Sequence, residues 1–291
     1  MNRSNKKSNP SSQEIGLRIA NICGRYLLHT DHLHYGFWPE DLPVSLENLP
    51  RAQDLYSQFL CDHLPEGVPT ILDVGCGTGH NAELLLERGY QVDCVSPSPY
   101  LSEVTESKLK GRGHLYNCIF EELPEGKKYD MLLFSESFQY IQLDGIFERF
   151  KKYLNPGGAV MIADFFRIES NSGRKSAMGG GHRLSRFRER LAEAGEFRQI
   201  EEIDITENTA PNMQLVDETL QQVAVPIRDM VLDEFSSNYK LLYTPTRWLA
   251  KLFFRKKLEK LEYKYFSGAR NPENFKEHKR YMFFLLRHIP A

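Results

Sequence analysis

The fold is decided by the stretch Ile71-Leu72-Asp73-Val74-Gly75-Cys76-Gly77-Thr78-Gly79-His80-Asn81. A short apolar run is followed by an acidic residue and then by three glycines at every second position. An amphipathic segment, Ala82 to Arg88, comes next. Glycine has no Cβ atom, so it adopts left-handed backbone and lets a ligand approach closely. The free N–H groups of the following helix favour a polar or anionic ligand. The pattern therefore predicts a buried strand, a tight turn and a helix that bind a nucleotide-type cofactor.

The spacing of the glycines indicates which cofactor binds. A dinucleotide-binding turn reads G-x-G-x-x-G, whereas Gly75, Gly77 and Gly79 read G-x-G-x-G, and His80 stands where the dinucleotide pattern has its last glycine. The segment from Asp73 to Gly79 resembles the first motif of the class I S-adenosylmethionine-dependent methyltransferases. The resemblance implies that Asp73 and the three glycines bind S-adenosyl-L-methionine. Two alternatives are an NAD(P)-dependent oxidoreductase, which the spacing disfavours, and a turn that only joins a strand to a helix.

Composition limits the class of protein and its partners. A chain of 291 residues is long enough for one large domain, or for a domain with an insertion. Its formal net charge of −2 gives no reason to expect nucleic-acid binding. The five cysteines are scattered, which suits free thiols in a reducing compartment. No apolar stretch is long enough to span a bilayer, and the polar start is unlike a secretory signal. We therefore expect a cytoplasmic protein.

An aromatic segment precedes the organising strand. His34-Tyr35-Gly36-Phe37-Trp38 is similar to the His-x-Gly-Tyr-Trp stretch of small-molecule methyltransferases of the tocopherol and glycoside type. The resemblance implies that this segment folds over cofactor and acceptor, with Tyr35 or Trp38 near the positively charged sulfur of the cofactor. The alternative is a purely structural aromatic turn. Nearby His29, His32 and His34 match no zinc-ligand spacing, so no metal is predicted.

Two positions depart from the usual pattern of the family. The second strand of most members ends in an acid that binds the ribose hydroxyls, but here the position is Ser96, and Asp93 lies inside the strand. Some branches carry Thr at this position, so the resemblance implies Ser96 as the ribose contact. The segment Ile119-Phe120-Glu121 resembles the part of the family that holds adenine, with Ile119 in place of the usual Asp. Phe120 and Glu121 are the candidates for that contact, and solvated loop carboxylates are the alternative.

The end of the fourth strand carries the candidates for chemistry. Ligands bind beyond the carboxyl ends of the strands in a doubly wound sheet, so Ser135 is a candidate cofactor contact and Glu136 and Tyr140 are candidate catalytic residues. Glu136 also matches a Glu in tocopherol-type relatives. The alternative is that Glu136 only complements a helix dipole. His182, which follows a glycine-rich loop after the fifth strand, is the third catalytic candidate.

The coarse pattern predicts an α/β protein with a Rossmann-like, doubly wound, seven-stranded sheet whose last strand is antiparallel. A long apolar and basic insertion lies between strands six and seven, and it resembles the variable substrate cap of the family. The apolar stripe of this cap either packs on the main domain or docks on a membrane surface through residues 244–262. The predicted segments are a disordered tail (1–12), an N-terminal helical lid (13–66), a cofactor-binding core (67–205), a helical substrate cap (206–267) and a final strand segment (268–291).

The predicted function is methyl transfer from S-adenosyl-L-methionine to an O, N or C atom of a small, fairly apolar acceptor. The aromatic segment and the apolar cap favour such an acceptor, and the chain lacks an Asn-Pro-Pro-Tyr-type motif for a base amine. The alternative is a non-catalytic relative that binds the cofactor or a partner, because the usual acids are replaced by Ser96 and Ile119.

Overall fold

A computed structural model describes residues 12–170 and 173–290. The predicted tail at residues 1–12 lies outside the described residues except for Ser12, which begins the first helix. The strands are β1 (Thr70–Val74), β2 (Gln91–Val95), β3 (Leu115–Tyr116), β4 (Tyr129–Ser135), β5 (Leu154–Arg167), β6 (Phe197–Asp204) and β7 (Lys279–His288).

The strands form a seven-stranded sheet in the order β3-β2-β1-β4-β5-β7-β6. Strands β1 to β5 pair in parallel, and β7 runs antiparallel between β5 and β6. The predicted doubly wound sheet with a reversed last strand is confirmed. The chain winds in opposite directions from β1 and β4, so a crevice opens beyond their carboxyl ends, where such sheets bind ligands.

Helices cover both faces of the sheet, and the central strands are buried on both sides, as parallel strands require. The helices are α1 (Ser12–Leu27), α2 (Leu49–Asp62), α3 (His80–Glu87), α4 (Pro99–Leu109), α5 (Ile146–Tyr153), α6 (Leu184–Ala194), α7 (Thr206–Thr209), α8 (Pro211–Thr219), α9 (Val225–Asn238), α10 (Lys240–Tyr265) and α11 (Pro272–His278). Ser98 caps α4, because its hydroxyl accepts a hydrogen bond from the Leu101 N–H at 3.2 Å.

Element boundaries differ from the sequence prediction at α5 and β5. The apolar pattern predicts a helix from Ile141, but α5 begins at Ile146 because Gly145 before it has a φ of +73°. The pattern also predicts a strand over Ala159–Asp164, whereas β5 runs from Leu154 to Arg167. Antiparallel pairing with β7 extends the end of β5, since Phe165 to Arg167 all face partners there, and pairing of Leu154 with Tyr129 of β4 extends its start.

The helical insertion leaves much of its apolar surface exposed. In α10 the side chains of Trp248, Leu252 and Phe253 are 64%, 60% and 71% exposed. Pro245 lies inside this helix, and Phe254 interrupts its helical geometry. Packing of this stripe on the main domain, one of the two expectations from the sequence, is therefore not observed. Across the described segments, no helix combines the length and apolar character needed to cross a bilayer.

Candidate active site

A cavity of about 540 Å³ opens at the carboxyl ends of β1, β2 and β4. Its volume lies in the range of roughly 300–1,000 Å³ typical of small-molecule sites. Eight of the predicted site residues line it: Tyr35, Asp73, Gly75, Gly77, Ser96, Ser135, Glu136 and Tyr140.

The turn after β1 forms one wall of the cavity and fits a cofactor. The Asp73 side chain is buried, and its Oδ2 has no hydrogen-bond partner among the described residues. Burial raises the pKa of Asp73 to about 7. A Cβ atom on Gly77 would meet only Leu33 Cδ1, at 3.9 Å, so the space above this glycine is open. An unpaired carboxyl oxygen beside an open glycine turn fits a ligand that brings hydrogen-bond donors, such as the amino group of S-adenosylmethionine.

The two polar residues near the end of β2, Asp93 and Ser96, have different roles. The Asp93 carboxylate accepts hydrogen bonds from the His114 N–H at 2.9 Å and from the Tyr129 hydroxyl at 2.7 Å, and it pairs with Lys127. These bonds hold the pKa of Asp93 below its usual value in spite of its burial. Asp93 therefore joins β2 to its neighbours, whereas Ser96 lines the cavity. The Ser96 hydroxyl already accepts a bond from the Ser98 N–H at 3.3 Å.

Glu136 follows β4 directly and has a φ of +55°, in the left-handed region that non-glycine residues rarely adopt. Its Oε1 accepts hydrogen bonds from the Tyr35 N–H at 2.7 Å and from the Tyr281 hydroxyl at 2.9 Å. Burial raises the pKa of Glu136 to about 8, and the nearby Asp164 adds to the rise. Backbone strain, burial and a raised pKa together mark Glu136 as a functional candidate.

A chain of hydroxyl groups connects the Glu136 carboxylate to Ser135. Tyr281 lies 2.9 Å from Tyr56, oxygen to oxygen, and Tyr56 lies 3.1 Å from the Ser135 Oγ. Ser135 lines the cavity, so this chain runs from the cavity wall back to the Glu136 carboxylate. Sequence reasoning missed Tyr56 and Tyr281, because each is an apolar-patterned position whose role depends on contacts distant in sequence.

Four predicted site residues lie outside the cavity lining. Trp38 packs in a small core with Leu42, and Phe120 belongs to the main core. Glu121 instead accepts a hydrogen bond from a backbone N–H, that of Gln142 at 2.8 Å. His182 bonds to the Phe138 carbonyl oxygen at 3.1 Å, and burial lowers its pKa. Their side chains are engaged elsewhere, which does not support the predicted contacts with cofactor or acceptor.

The third glycine of the turn also lies outside the lining. A Cβ atom on Gly79 would lie 2.8 Å from Thr105 Cγ2, and Gly79 has a φ of +77°. This glycine therefore serves the close packing of the turn against α4 and does not face the cavity.

Histidine and acidic side chains cluster at the rim of the cavity. Ligand-type atoms of Asp31, His32 and His80 lie within 4.8 Å of one another. The Lys108 ammonium already pairs with Asp31 and helps to lower the pKa of that carboxyl. Burial lowers the pKa of His32 to about 3, so this ring stays neutral. Lys108 supplies a positive charge that balances the Asp31 carboxylate. We therefore assign no metal ion to this cluster.

The sheet order and the glycine turn at its switch point define an α/β protein that binds a nucleotide-type cofactor. The family model of a methyltransferase domain matches residues 46–201. Because this match spans more than half of the chain, the protein belongs to the class I S-adenosylmethionine-dependent methyltransferases, whose cofactor is S-adenosyl-L-methionine.

Curated relatives match part of the chain. It is 31% identical over 34% of its length to malonyl-[acyl-carrier protein] O-methyltransferase 2 of Ilyobacter polytropus, covering 40% of that protein. It is 25% identical over 52% of its length to geranyl diphosphate 2-C-methyltransferase of Streptomyces coelicolor, covering 57% of it. It is 26% identical over 46% of its length to 2-methyl-6-phytyl-1,4-hydroquinone methyltransferase of Synechocystis, covering 45% of it. The chain thus spans about half the length of these relatives.

Solved structures share the whole fold. Geranyl diphosphate C-methyltransferase from Streptomyces coelicolor, in complex with Mg²⁺, geranyl diphosphate and S-adenosyl-L-homocysteine, superposes with a TM-score of 0.63 at 17% identity. The match covers 97% of this chain and 100% of that one. The [4+2]-cyclase SpnF superposes with the same TM-score, 0.63, at 18% identity over 97% of both chains.

Proposed function

We propose that the protein transfers the methyl group of S-adenosyl-L-methionine to an O, N or C atom of a small, fairly apolar acceptor. The observation that carries the proposal is the pairing of two features in one cavity. The glycine turn with the unpaired Asp73 carboxyl forms one wall, and Glu136, with its raised pKa, lines the same cavity. A cofactor site and a proton acceptor thereby border one space.

The bound cofactor supplies an electrophilic methyl group on a positively charged sulfur. Asp73 and the backbone at Gly77 hold and orient the cofactor. Glu136 accepts a proton from the attacking group of the acceptor, or stabilises positive charge that develops on it. The Tyr35 ring lines the cavity and helps to exclude water from the reacting groups, whereas Tyr140, which also lines the cavity, is 65% exposed.

The chemistry of the relatives supports an apolar acceptor. Two of them are named for acceptors with long apolar parts, geranyl diphosphate and a phytyl hydroquinone. In this chain Leu33, Phe165 and Met178 add apolar surface to the cavity.

A non-catalytic or differently reactive relative is the second candidate. Phe120 is buried in the core, and the neighbouring Ile119 is exposed where the family pattern has an acid. The same fold also occurs in a [4+2]-cyclase, so the fold by itself does not assign methyl transfer.

A methyl-labelling assay separates the two candidates. The protein is incubated with radiolabelled S-adenosyl-L-methionine and a metabolite extract from its source cells, beside an Asp73→Ala variant as control. We expect a labelled small molecule with the wild type and none with the variant. Tight cofactor binding without any labelled product would favour the second candidate.

The exposed apolar side chains of α10 favour a contact with a membrane, from which an apolar acceptor would reach the cavity. We propose that residues 244–262 contact an anionic membrane surface, with Trp248 and Phe253 in the interface. The sequence of α10 has eight Lys or Arg residues against two Glu. Glu259 and Glu262 are already paired with Arg255 and Arg228. An apolar stripe with excess positive charge complements anionic lipid.

The unpaired state of all five cysteines, each in the described part of the chain, supports the predicted cytoplasmic location.

Vesicle co-sedimentation tests this contact. We expect binding to phosphatidylglycerol vesicles, weaker binding to phosphatidylcholine vesicles, and loss of binding in a Trp248→Ser, Phe253→Ser double variant. Ile200→Ser, at an exposed apolar residue of β6, is the matched control and should bind normally. Absence of binding to anionic vesicles would refute the contact, as would a stable dimer that buries the stripe.

A further inference from the structure

Two cationic side chains line the cavity. Lys264 lies near the end of α10, and Arg270 lies in the turn that leads to α11. Neither forms an ion pair with a carboxylate of the residues the structure describes. The Nε of Arg270 is buried and has no hydrogen-bond partner in residues 12–170 and 173–290. A buried, unpartnered guanidinium nitrogen is costly, so this arrangement favours a ligand oxygen beside it.

The ring of Tyr265 holds both cations in place. Lys264 Nζ lies 4.9 Å from the centroid of this ring, and Arg270 Cζ lies 5.5 Å from it. Such cation–π contacts fix the position of a positive charge without neutralising it. The pKa of Tyr265 is below its usual value because the Lys264 and Arg270 side chains both bond to its hydroxyl and both add positive charge. The side-chain charges of Lys264 and Arg270 are therefore held at fixed positions beside one aromatic ring.

The two cations line the same cavity as Glu136. The charge of Arg270 acts on Tyr35, where it opposes the rise in pKa caused by burial and by Glu136. The Tyr35 N–H donates to Glu136 Oε1 at 2.7 Å, and Tyr35, Glu136 and Arg270 all line the cavity. The cations thus share the cavity with the proposed proton acceptor. Phe165 and Met178 provide apolar surface in the same cavity.

We infer that Lys264 and Arg270 form an anion subsite, and that the acceptor carries a carboxylate or phosphate group on an apolar body. A guanidinium and an ammonium group together bind such anions through charge-assisted hydrogen bonds. The inference rests on the proposed function, because it assigns the acceptor side of the same cavity. It narrows the acceptor from a small apolar molecule to an amphipathic anion.

Binding of simple amphipathic probes tests the subsite without any turnover. Calorimetric titrations use decanoate, decyl phosphate and decanol on protein saturated with S-adenosylhomocysteine. We expect decanoate or decyl phosphate to bind about tenfold or more tightly than decanol, since hydrogen bonds between charged groups are stronger than those of a neutral hydroxyl. The tighter of the two anions identifies the anionic group.

Three variants test whether Lys264 and Arg270 cause the preference for anionic probes over decanol. Arg270→Gln and Lys264→Gln should each reduce the preference for the anion about tenfold, whereas Arg270→Lys should retain much of it. Lys260→Gln, one turn earlier on α10 and exposed, is the matched control and should bind like the wild type. The thermal unfolding midpoint, measured on every ligand-free variant, confirms that each is folded, so that S-adenosylhomocysteine affinity can be compared separately.

Two results would overturn the subsite. One is equal binding of decanol and the anions. The other is a loss of S-adenosylhomocysteine affinity in Arg270→Gln as large as its loss of anion affinity, which would assign the cations to the carboxylate of the cofactor. Failure of the proposed function is distinguishable, since anion binding would then persist in a protein that labels no acceptor.

Discussion

Asp73 needs a ligand to complete the hydrogen bonding of its side chain. One of its buried oxygens has no partner among the described residues, while the Ser96 hydroxyl already accepts a backbone hydrogen bond. We therefore expect Asp73→Ala to weaken S-adenosylmethionine binding about a hundredfold, in line with roughly 1.5–3 kcal/mol for a hydrogen bond to a charged group. Ser96→Ala should change the affinity only a few-fold. Calorimetric titration measures both, and equal losses would contradict a site dominated by the turn.

Glu136 should give activity and stability opposite dependences on pH. Its pKa rises from 4.5 in the unfolded chain to about 8 in the fold, so the folded state binds the extra proton between these values. The free energy of unfolding therefore falls as pH rises through this window, by up to about 1.4 kcal/mol per pH unit. Methyl transfer should instead increase with pH towards about 8, because the base must be deprotonated.

Glu136→Gln is the direct test of this assignment. Urea unfolding of the variant across the same pH window should show a flatter dependence, and the variant should lose most of its activity at every pH. An unchanged pH–rate profile in an active Glu136→Gln variant would remove Glu136 from the chemistry.

Side chains at the ends of β1 and β4 could be predicted from the sequence, whereas the orientation of Phe120 could not. Asp73 and Glu136 reach the cavity because the ends of β1 and β4 adjoin the switch point of the sheet. The orientation of Phe120 depends on a short 3₁₀ turn that directs its ring into the core, which no local pattern indicates. Tyr281 remained undetected because its partner Glu136 is 145 residues away in sequence.

The turn between β1 and α3 uses its glycines for different purposes. All three have positive φ, so alanine at any of them costs about 1–2 kcal/mol in backbone strain. At Gly75 the new methyl group would clash with Ser137, and at Gly79 with Thr105, whereas at Gly77 it would enter open space. We expect Gly75→Ala and Gly79→Ala to lose a further 1–3 kcal/mol or so of stability from overpacking.

Gly77→Ala should behave differently from the other two. It should keep more of the stability but lose most of its cofactor affinity, because its methyl group occupies space left for the ligand. Scanning calorimetry of the ligand-free proteins and titration with S-adenosylmethionine separate the two effects. Equal thermal destabilisation in all three variants would contradict this division of roles.

Strand β7 supports the candidate base through Tyr281. The Tyr281 hydroxyl donates to the Glu136 carboxylate and so favours its charged form. We expect Tyr281→Phe to move the pH of half-maximal activity upward by about 1–2 units. Tyr153→Phe is the control, because that buried hydroxyl bonds to the Leu123 carbonyl oxygen at 2.5 Å, outside this network. An upward shift in both variants would indicate a general structural effect.

At the scale of the whole molecule, the sequence predicted the sheet and missed the exposure of the insertion. Continuous apolar runs between turn signals define parallel strands, so the order of elements follows from local pattern. The apolar stripe of α10 also follows from local pattern. Whether another part of the protein covers such a stripe depends on the tertiary structure. Trp248 has the same sequence signature in a packed lid as on an exposed helix, and the structure leaves it 64% exposed.

The cavity as a whole should release protons when it binds the cofactor. Asp73 and Glu136 line one space, and burial raises their pKa values to about 7 and about 8, so both are partly protonated near neutral pH. A ligand with a positively charged sulfur favours the carboxylate forms and lowers both pKa values. S-adenosylmethionine should therefore release on the order of one proton more than S-adenosylhomocysteine, whose sulfur is neutral.

Calorimetric titrations in buffers of different ionisation enthalpy measure this release, because the slope of binding heat against that enthalpy equals the number of protons released with a negative sign. Glu136→Gln should reduce the difference between the two ligands, and Ser96→Ala should preserve it, since Ser96 does not titrate. Identical slopes for the two ligands would mean that neither carboxyl responds to the charge on the sulfur. In that case neither buried acid would distinguish the methyl donor from its demethylated product.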